Sequence, residues 1–276
     1  MKTRYAADRV RYARMTTDEV RKEFLIEDLF RAGELCLEYC EVERVVVGSA
    51  VPVKGALELE AGKELAADYF CERREAGVIN IGDAGAITVD GKSFKMANLE
   101  FLYIGRGSKE VSFASADPKA PAMYYILSYP AHAEHMTTHA KKSDAEVVEL
   151  GSRKEANVRT LNKYIHPGGI KSSQLVMGYT EIKEGSVWNT MPAHTHERRT
   201  EVYLYFNLAD DAILFHLMGP PGETRHLVVK NRQAVVSPLW SIHSGVGTGA
   251  YCFVWGMGGE NQDFTDMDQI PVHDLK

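Results

Sequence analysis

The chain has 276 residues, of which 45% are hydrophobic and 25% charged, with a formal net charge of -6. That length and composition suit one large or two medium soluble domains with a sizeable buried core. The acidic balance, with no cluster of Lys and Arg, excludes nucleic acid as a partner. No window reaches the roughly 20 apolar residues that a membrane helix needs, so no membrane association is expected.

The opening stretch, MKTRYAADRVRYARMTTDEV, is charged and lacks an apolar core, which predicts no secretory signal. Thr16 and Glu19 form a capping box. Val20, Phe24, Leu25 and Leu29 follow at helical spacing, with Gly33 placed to close the helix. Cys36 and Cys40 lie in the apolar segment LCLEYC and read as buried structural cysteines. With Cys71 and Cys252 they are few and dispersed, which fits a reducing cytoplasm.

After Arg44 the texture changes to short runs rich in Val, Ile and aromatics, punctuated by Gly and Asp: RVVVGSAVPV, GVINIGDAGAITVDG, LEFLYIG, EVSFAS and AMYYILSYP. Asp90-Gly91 is a tight hairpin turn. The second half repeats this texture in SQLVMGYTEI, TEVYLYFNL, AILFHLMG, RHLVVKN, QAVVSP and AYCFVWGMG. A β-sandwich or small barrel is expected in each half. CERREAGVINIGDAGAITVDG echoes HERRTEVYLYFNLADDAILF, and LYIGRGSKEVSFAS is set beside SIHSGVGTGAYCFVW, a weak internal duplication. The boundary falls in the polar stretch at 140–160, giving domains 1–150 and 151–276.

The segment MPAHTHERRTEVYLYF, 191–206, carries the chemistry. Residues two apart on a strand share a face, so His194 and His196 aim together. A turn through Glu197-Arg198-Arg199-Thr200 lets Glu201 face the same interior, with Tyr203 and Tyr205 sharing its parity. His-x-His-x4-Glu at a strand junction resembles the first motif of the cupin superfamily. That resemblance implies a further histidine from a later strand, and SPLWSIHSG supplies His243. Imidazole and carboxylate donors suit Zn, Fe, Mn or Ni. In the first half Tyr69, Cys71 and Ala76 stand where His194, His196 and Glu201 stand, so one metal per chain is expected, in the second barrel.

Other polar groups are weighed beside this set. His132, His135 and His139 in HAEHMTTH read as incidental histidines on a solvated loop. Glu260, Asp263 and Asp266 read as loop-anchoring residues. Arg198 and Arg199 are either surface ion-pairing residues or substrate-carboxylate ligands. Their echo at Arg73 and Arg74 favours a structural turn and shifts the substrate-binding candidacy to Arg225.

Longer motifs narrow the reading. SQLVMGYTEIKEGSVWNTMPAHTHERRTEVYLYF, GETRHLVVKNRQAVVSPLWSIHSGVGT and FVWGMGGENQDFTDMD are similar to the 4-deoxy-L-threo-5-hexosulose-uronate ketol-isomerase family. So are YFCERREAGVINIGDAGAITVDG and LYIGRGSKEVSFASAD in the first half. The resemblance implies a mainly β fold of two tandem cupin-like β-barrels, a bicupin, behind a short N-terminal helix. It implies one Zn2+ per chain on His194, His196, Glu201 and His243, and a homo-hexamer. It implies a metal-dependent aldose–ketose isomerase of pectin and uronate degradation, converting 5-dehydro-4-deoxy-D-glucuronate to 3-deoxy-D-glycero-2,5-hexodiulosonate. His226 and Tyr203 are the catalytic-base candidates from strand parity, beside a metal-bound hydroxide, and a hydride shift is the alternative to an enediol route. A metal-dependent dioxygenase and a sugar-binding cupin without turnover are the rival classes.

Overall fold

Thr16 caps the helix Thr17–Phe24. Its hydroxyl accepts from Glu19 N, and the Glu19 carboxylate accepts from Thr16 N at 2.7 Å. The structure, a computed structural model, describes every residue except Phe264. The spacing predicts a helix continuing through Leu29, but the chain turns extended at Leu25 (φ -101°, ψ 127°). Leu25–Ile26 instead pairs antiparallel with Val235 and Ala234. The sheet edge satisfies the backbone there, while Leu25, Ile26 and Leu29 remain buried. Gly33 serves a turn at φ 81° and closes no helix.

The fold is mainly β, in two compact units. One comprises Met1–Arg4, Asp28–Ala145 and Tyr164–Val176; the other comprises Tyr5–Glu27, Glu146–Lys163 and Met177–Lys276. This division differs from the 1–150 and 151–276 partition expected from sequence. The N-terminal helix goes with the second unit, and a later segment returns to the first. The polar stretch read as the boundary contains the strand Glu146–Leu150, paired with Arg159–Ile165.

In the first unit a seven-stranded sheet has the spatial order Lys2–Arg4, Leu35–Cys40, Val46–Ala50, Tyr124–Pro130, Arg74–Asn80, Phe101–Ile104, Thr138–Ala140. A four-stranded sheet follows the order Leu57–Glu58, Val111–Ser115, Gly85–Val89, Lys92–Met96. Asp90 and Gly91, both at positive φ, make the expected hairpin turn between Val89 and Lys92. Side chains of both sheets meet in one core, with Val78, Ile104 and Ile126 from the larger and Ile87, Val111 and Phe113 from the smaller.

The second unit repeats both orders. Its seven-stranded sheet runs Glu146–Leu150, Arg159–Ile165, Val176–Ile182, Cys252–Gly259, Arg199–Phe206, Ala234–Ser237, Leu25–Ile26. Its four-stranded sheet runs Trp188–Asn189, Ile242–Gly247, Leu214–Gly219, Arg225–Val229. Arg74 and Arg199 therefore open equivalent strands, and the ERR echo is a true topological match. Strand order corrects the other half of the echo. Phe101–Ile104 corresponds to Ala234–Ser237, and Val111–Ser115 corresponds to Ile242–Gly247. The glycine pattern alone had set the comparison one strand out. Among the described residues no helix is long and apolar enough to cross a membrane.

On the strand Arg74–Asn80, Glu75 alternates away from the core residues Ala76 and Val78 and is fully buried. Its carboxylate accepts from Tyr103 Oη (2.7 Å) and from the backbone N–H groups of Ser173, Gln174 and Leu175 (2.6, 2.8 and 2.9 Å). Removing the carboxylate leaves three backbone donors without an acceptor. Glu75→Ala is expected to destabilise the protein by roughly 3–5 kcal/mol, the scale of a broken buried charge interaction. Denaturant unfolding measures it, and a loss below about 1 kcal/mol would show the cradle to be dispensable.

Candidate metal centre

The two-residue strand His194–Thr195 pairs with Asp268–Gln269, the chain turns through Glu197 and Arg198, and Arg199–Phe206 runs back into the sheet. On that strand Glu201 lies between Ser237 and Met257 of its neighbours. Alternation turns Glu201, Tyr203 and Tyr205 to the interior. His243 enters from the opposing sheet, on Ile242–Gly247, across from Met218.

The four residues converge. His243 Nε2 lies 2.9 Å from His194 Nε2 and 2.9 Å from Glu201 Oε2, and His196 Nε2 lies 3.0 Å from the same oxygen. All four are buried, and one ligand atom from each falls within 4.8 Å of the others. The donor set fits a divalent cation. His196 Nδ1–H donates to the Arg199 carbonyl at 2.9 Å. In the neutral ring that bond leaves Nε2 as a lone-pair donor aimed at the carboxylate. Two lone pairs 3.0 Å apart need a positive charge between them, either a proton on the imidazole or a metal ion. Burial draws His194 down to about 3, helped by His243, so this ring is uncharged at neutral pH. Burial pushes the Glu201 carboxyl up, but His243 and His196 outweigh it and hold it well below the usual carboxylate range.

A cavity of about 270 Å³ opens on the group. Arg159, Asn189, Thr190, His194, Glu201 and Tyr203 supply its polar lining, against Phe253, Trp255 and Met257. Tyr203 Oη lies 3.1 Å from Thr190 Oγ1, and its ring meets that of His243 at 5.6 Å between centroids. Burial, reinforced by the Glu201 charge, raises the Tyr203 phenol well above its usual value.

Of the sequence candidates, the structure gathers His194, His196, Glu201 and His243 into one cluster, and His194, Glu201 and Tyr203 line the cavity. It does not bring Arg225 or His226 there. Arg225 donates to the carbonyls of Ala13 and Met15 and covers the Tyr12 ring. His226 is exposed, its ring against Phe215. Arg198 pairs with Asp266 and Asp268. Arg199 is buried and donates to Met257 Sδ, Asn261 Oδ1 and the carbonyls of Asp263 and Asp266. Arg74 likewise donates to the carbonyls of Arg44 and Ser128. The shared arginine is a structural clamp in both units. His139 pairs with Glu100 on a strand edge, apart from His132 and His135.

The sequence matches the KduI/IolB family over residues 27–274. The chain belongs to the KduI/IolB family. Two relatives named 4-deoxy-L-threo-5-hexosulose-uronate ketol-isomerase span it. One, from Lachnoclostridium phytofermentans, is 53% identical over 276 residues, covering all of both chains. One from Escherichia coli is 52% identical over 264 residues, covering 95% of each. Among solved structures, an IolB-like protein from Salmonella typhimurium superposes with a TM-score of 0.69 at 11% identity, over 90% of this chain and 96% of its own. Oxalate decarboxylase from Lactobacillus farciminis reaches 0.57 at 10% identity, over 89% of each. These two likenesses establish the fold.

The KduI/IolB chain also buries a histidine that strand reading passed over. His216 Nδ1 lies 2.7 Å from Tyr205 Oη, and burial draws the ring down to about 3, so it is neutral. The signal was present: in AILFHLMG, His216 shares inward parity with Leu214 and Met218. For the metal centre, purified protein is expected to hold about one divalent ion per chain, falling to roughly a tenth or less in His243→Ala and Glu201→Ala. Elemental analysis of dialysed protein reads this directly. Undiminished metal in both variants would rule these residues out as ligands.

Proposed function

We propose that this chain is a 4-deoxy-L-threo-5-hexosulose-uronate ketol-isomerase with its metal centre at His194, His196, Glu201 and His243. The observation that carries the reading is the convergence of three imidazoles and one buried carboxylate at a cavity, in a chain half identical along its whole length to relatives of that name. The substrate is 5-dehydro-4-deoxy-D-glucuronate and the product 3-deoxy-D-glycero-2,5-hexodiulosonate.

The reaction moves one hydrogen from the carbinol carbon to the neighbouring carbonyl carbon, and a second proton from the hydroxyl oxygen to the former carbonyl oxygen. Charge builds on oxygen in the enediol(ate) between. Held by His194, His196, Glu201 and His243, a divalent cation would supply Lewis acidity to stabilise that charge. Tyr203 is the chain's own proton carrier in this scheme. Its phenol lines the cavity, stays protonated through burial and the Glu201 charge, and is oriented by Thr190. It carries the oxygen-bound proton, donating to the oxygen where charge grows and recovering a proton from the adjacent hydroxyl. The carbon-bound hydrogen passes to the neighbouring carbon through a water of the cavity as base or directly as hydride. Phe253, Trp255 and Met257 keep the cavity partly dry, which strengthens these interactions.

Zinc is the metal assigned, because three imidazoles and a carboxylate suit it, although Fe, Mn and Ni accept the same donors. The homo-hexamer follows from the family resemblance, and light scattering reads it. The four cysteines are free, which supports placement in the cytoplasm.

Three outcomes are expected. Chelation abolishes isomerisation of the uronate, and zinc restores it. Tyr203→Phe lowers kcat by about 10²–10⁴-fold, as for loss of a general acid–base group, while metal content holds. In deuterated water the product carries carbon-bound deuterium; unlabelled product under slow exchange would instead indicate a hydride shift. Isomerisation that survives complete metal removal would defeat the metal-centred reading.

A further inference from the structure

The cavity beside the metal centre holds a guanidinium with unused donors. Arg159 lies on the strand Arg159–Ile165, opposite Leu150, and with Leu161, two residues on, it faces the cavity. Its Nη1 donates to the Asn157 carbonyl at 2.9 Å, which fixes the head group. Among the described residues, Nε and Nη2 have no protein acceptor, and no carboxylate lies within the 4.0 Å of an ion pair. Burial draws its pKa below the usual guanidinium value, so this cation sits where a counter-ion is worth more than in bulk water. Neighbouring arginines are otherwise engaged. Arg199 donates to Met257, Asn261 and two loop carbonyls, Arg198 faces Asp266 and Asp268, and Arg225 is tied to Ala13 and Met15.

A second unused donor faces the same space. Asn189 is 2% exposed, its Oδ1 accepts from Thr190 Oγ1 at 2.8 Å, and its carbonyl accepts from Ser244 Oγ. Its Nδ2 is buried beside the Tyr203 phenol without a well-formed hydrogen bond. An amide orphaned in this way is costly unless something fills the position. A cation lacking its anion and an amide lacking its acceptor, in one cavity with the metal ligands, describe a sugar acid lying across the site.

We propose that Arg159 is the carboxylate anchor of the site, and that Asn189 Nδ2 donates to an oxygen further along the same substrate chain. The free guanidinium edge takes the carboxylate through paired N–H donors, and the reacting carbons then lie toward His194 and Glu201. This inference rests on the ketol-isomerase reading and adds the group that selects a uronate over a neutral sugar.

The test compares the uronate substrate with its methyl ester, which removes the charge at the anchored end and adds one methyl group. Wild type is expected to favour the acid in kcat/KM by roughly 100-fold, the scale of one desolvated charge pair. In Arg159→Met, KM for the acid rises by a similar factor, kcat changes little, and the acid-to-ester preference falls toward one. Arg159→Lys, which keeps the charge but loses the paired donors, is expected to retain an intermediate preference, and it decides the matter if the Met variant does not fold. Asn189→Ala weakens acid and ester alike. Bound metal per chain reports intact folding in each variant. An unchanged acid-to-ester preference in metal-loaded Arg159→Met or Arg159→Lys would overturn the anchor. Absence of isomerisation by wild type would instead sink the ketol-isomerase reading itself.

Discussion

A carboxylate that stays ionised inside a protein governs the second unit. Glu201 is taken out of water, and such a charge costs several kcal/mol unless it is met closely. Two imidazole nitrogens lie within 3.0 Å of one of its oxygens, and a third ring packs against them. None of this can form until the strands carrying His194, Glu201 and His243, one from each of three sheets, have come together. The site is thus made by the closure that also makes the core.

The first unit shows what the same topology does without that charge. Ala76 occupies the strand position of Glu201 and joins a wholly apolar core with Cys71, Val78 and Ile104. Burial pushes the Cys71 thiol up to about 12, so it stays protonated and behaves as a small hydrophobe. The unit's buried carboxylate, Glu75, lies on the other face of the strand, held by four donors. One sheet order thus carries two interiors, one that packs and one that could hold a metal ion. The buried arginine at the strand entrance is common to both because it serves the turn and not the chemistry.

Much of this was legible because strands have a period of two. The parity of His194 with His196, and of Glu201 with Tyr203 and Tyr205, needs no tertiary knowledge. Capping at Thr16 and the Asp90-Gly91 hairpin are equally local. What failed depended on distant partners. The helix ends at Phe24 because Leu25–Ile26 finds a sheet edge some 200 residues away. Arg225 looked free for substrate, yet its acceptors are carbonyls more than 200 residues earlier in the chain. Arg159 was hidden in the polar stretch read as the domain boundary. The orphaned amide of Asn189 is a property of packing, which no residue pattern announces.

The hydrogen bond from His196 to the Arg199 carbonyl bears on how this site tolerates sequence drift. An acceptor supplied by a side chain disappears with one codon change, but a main-chain oxygen survives substitution of its own residue. The orientation of His196 is therefore written into the path of the turn, not into the identity of any neighbour. Drift at the turn can alter charge and solubility while the ring keeps its aim, provided the backbone holds its course.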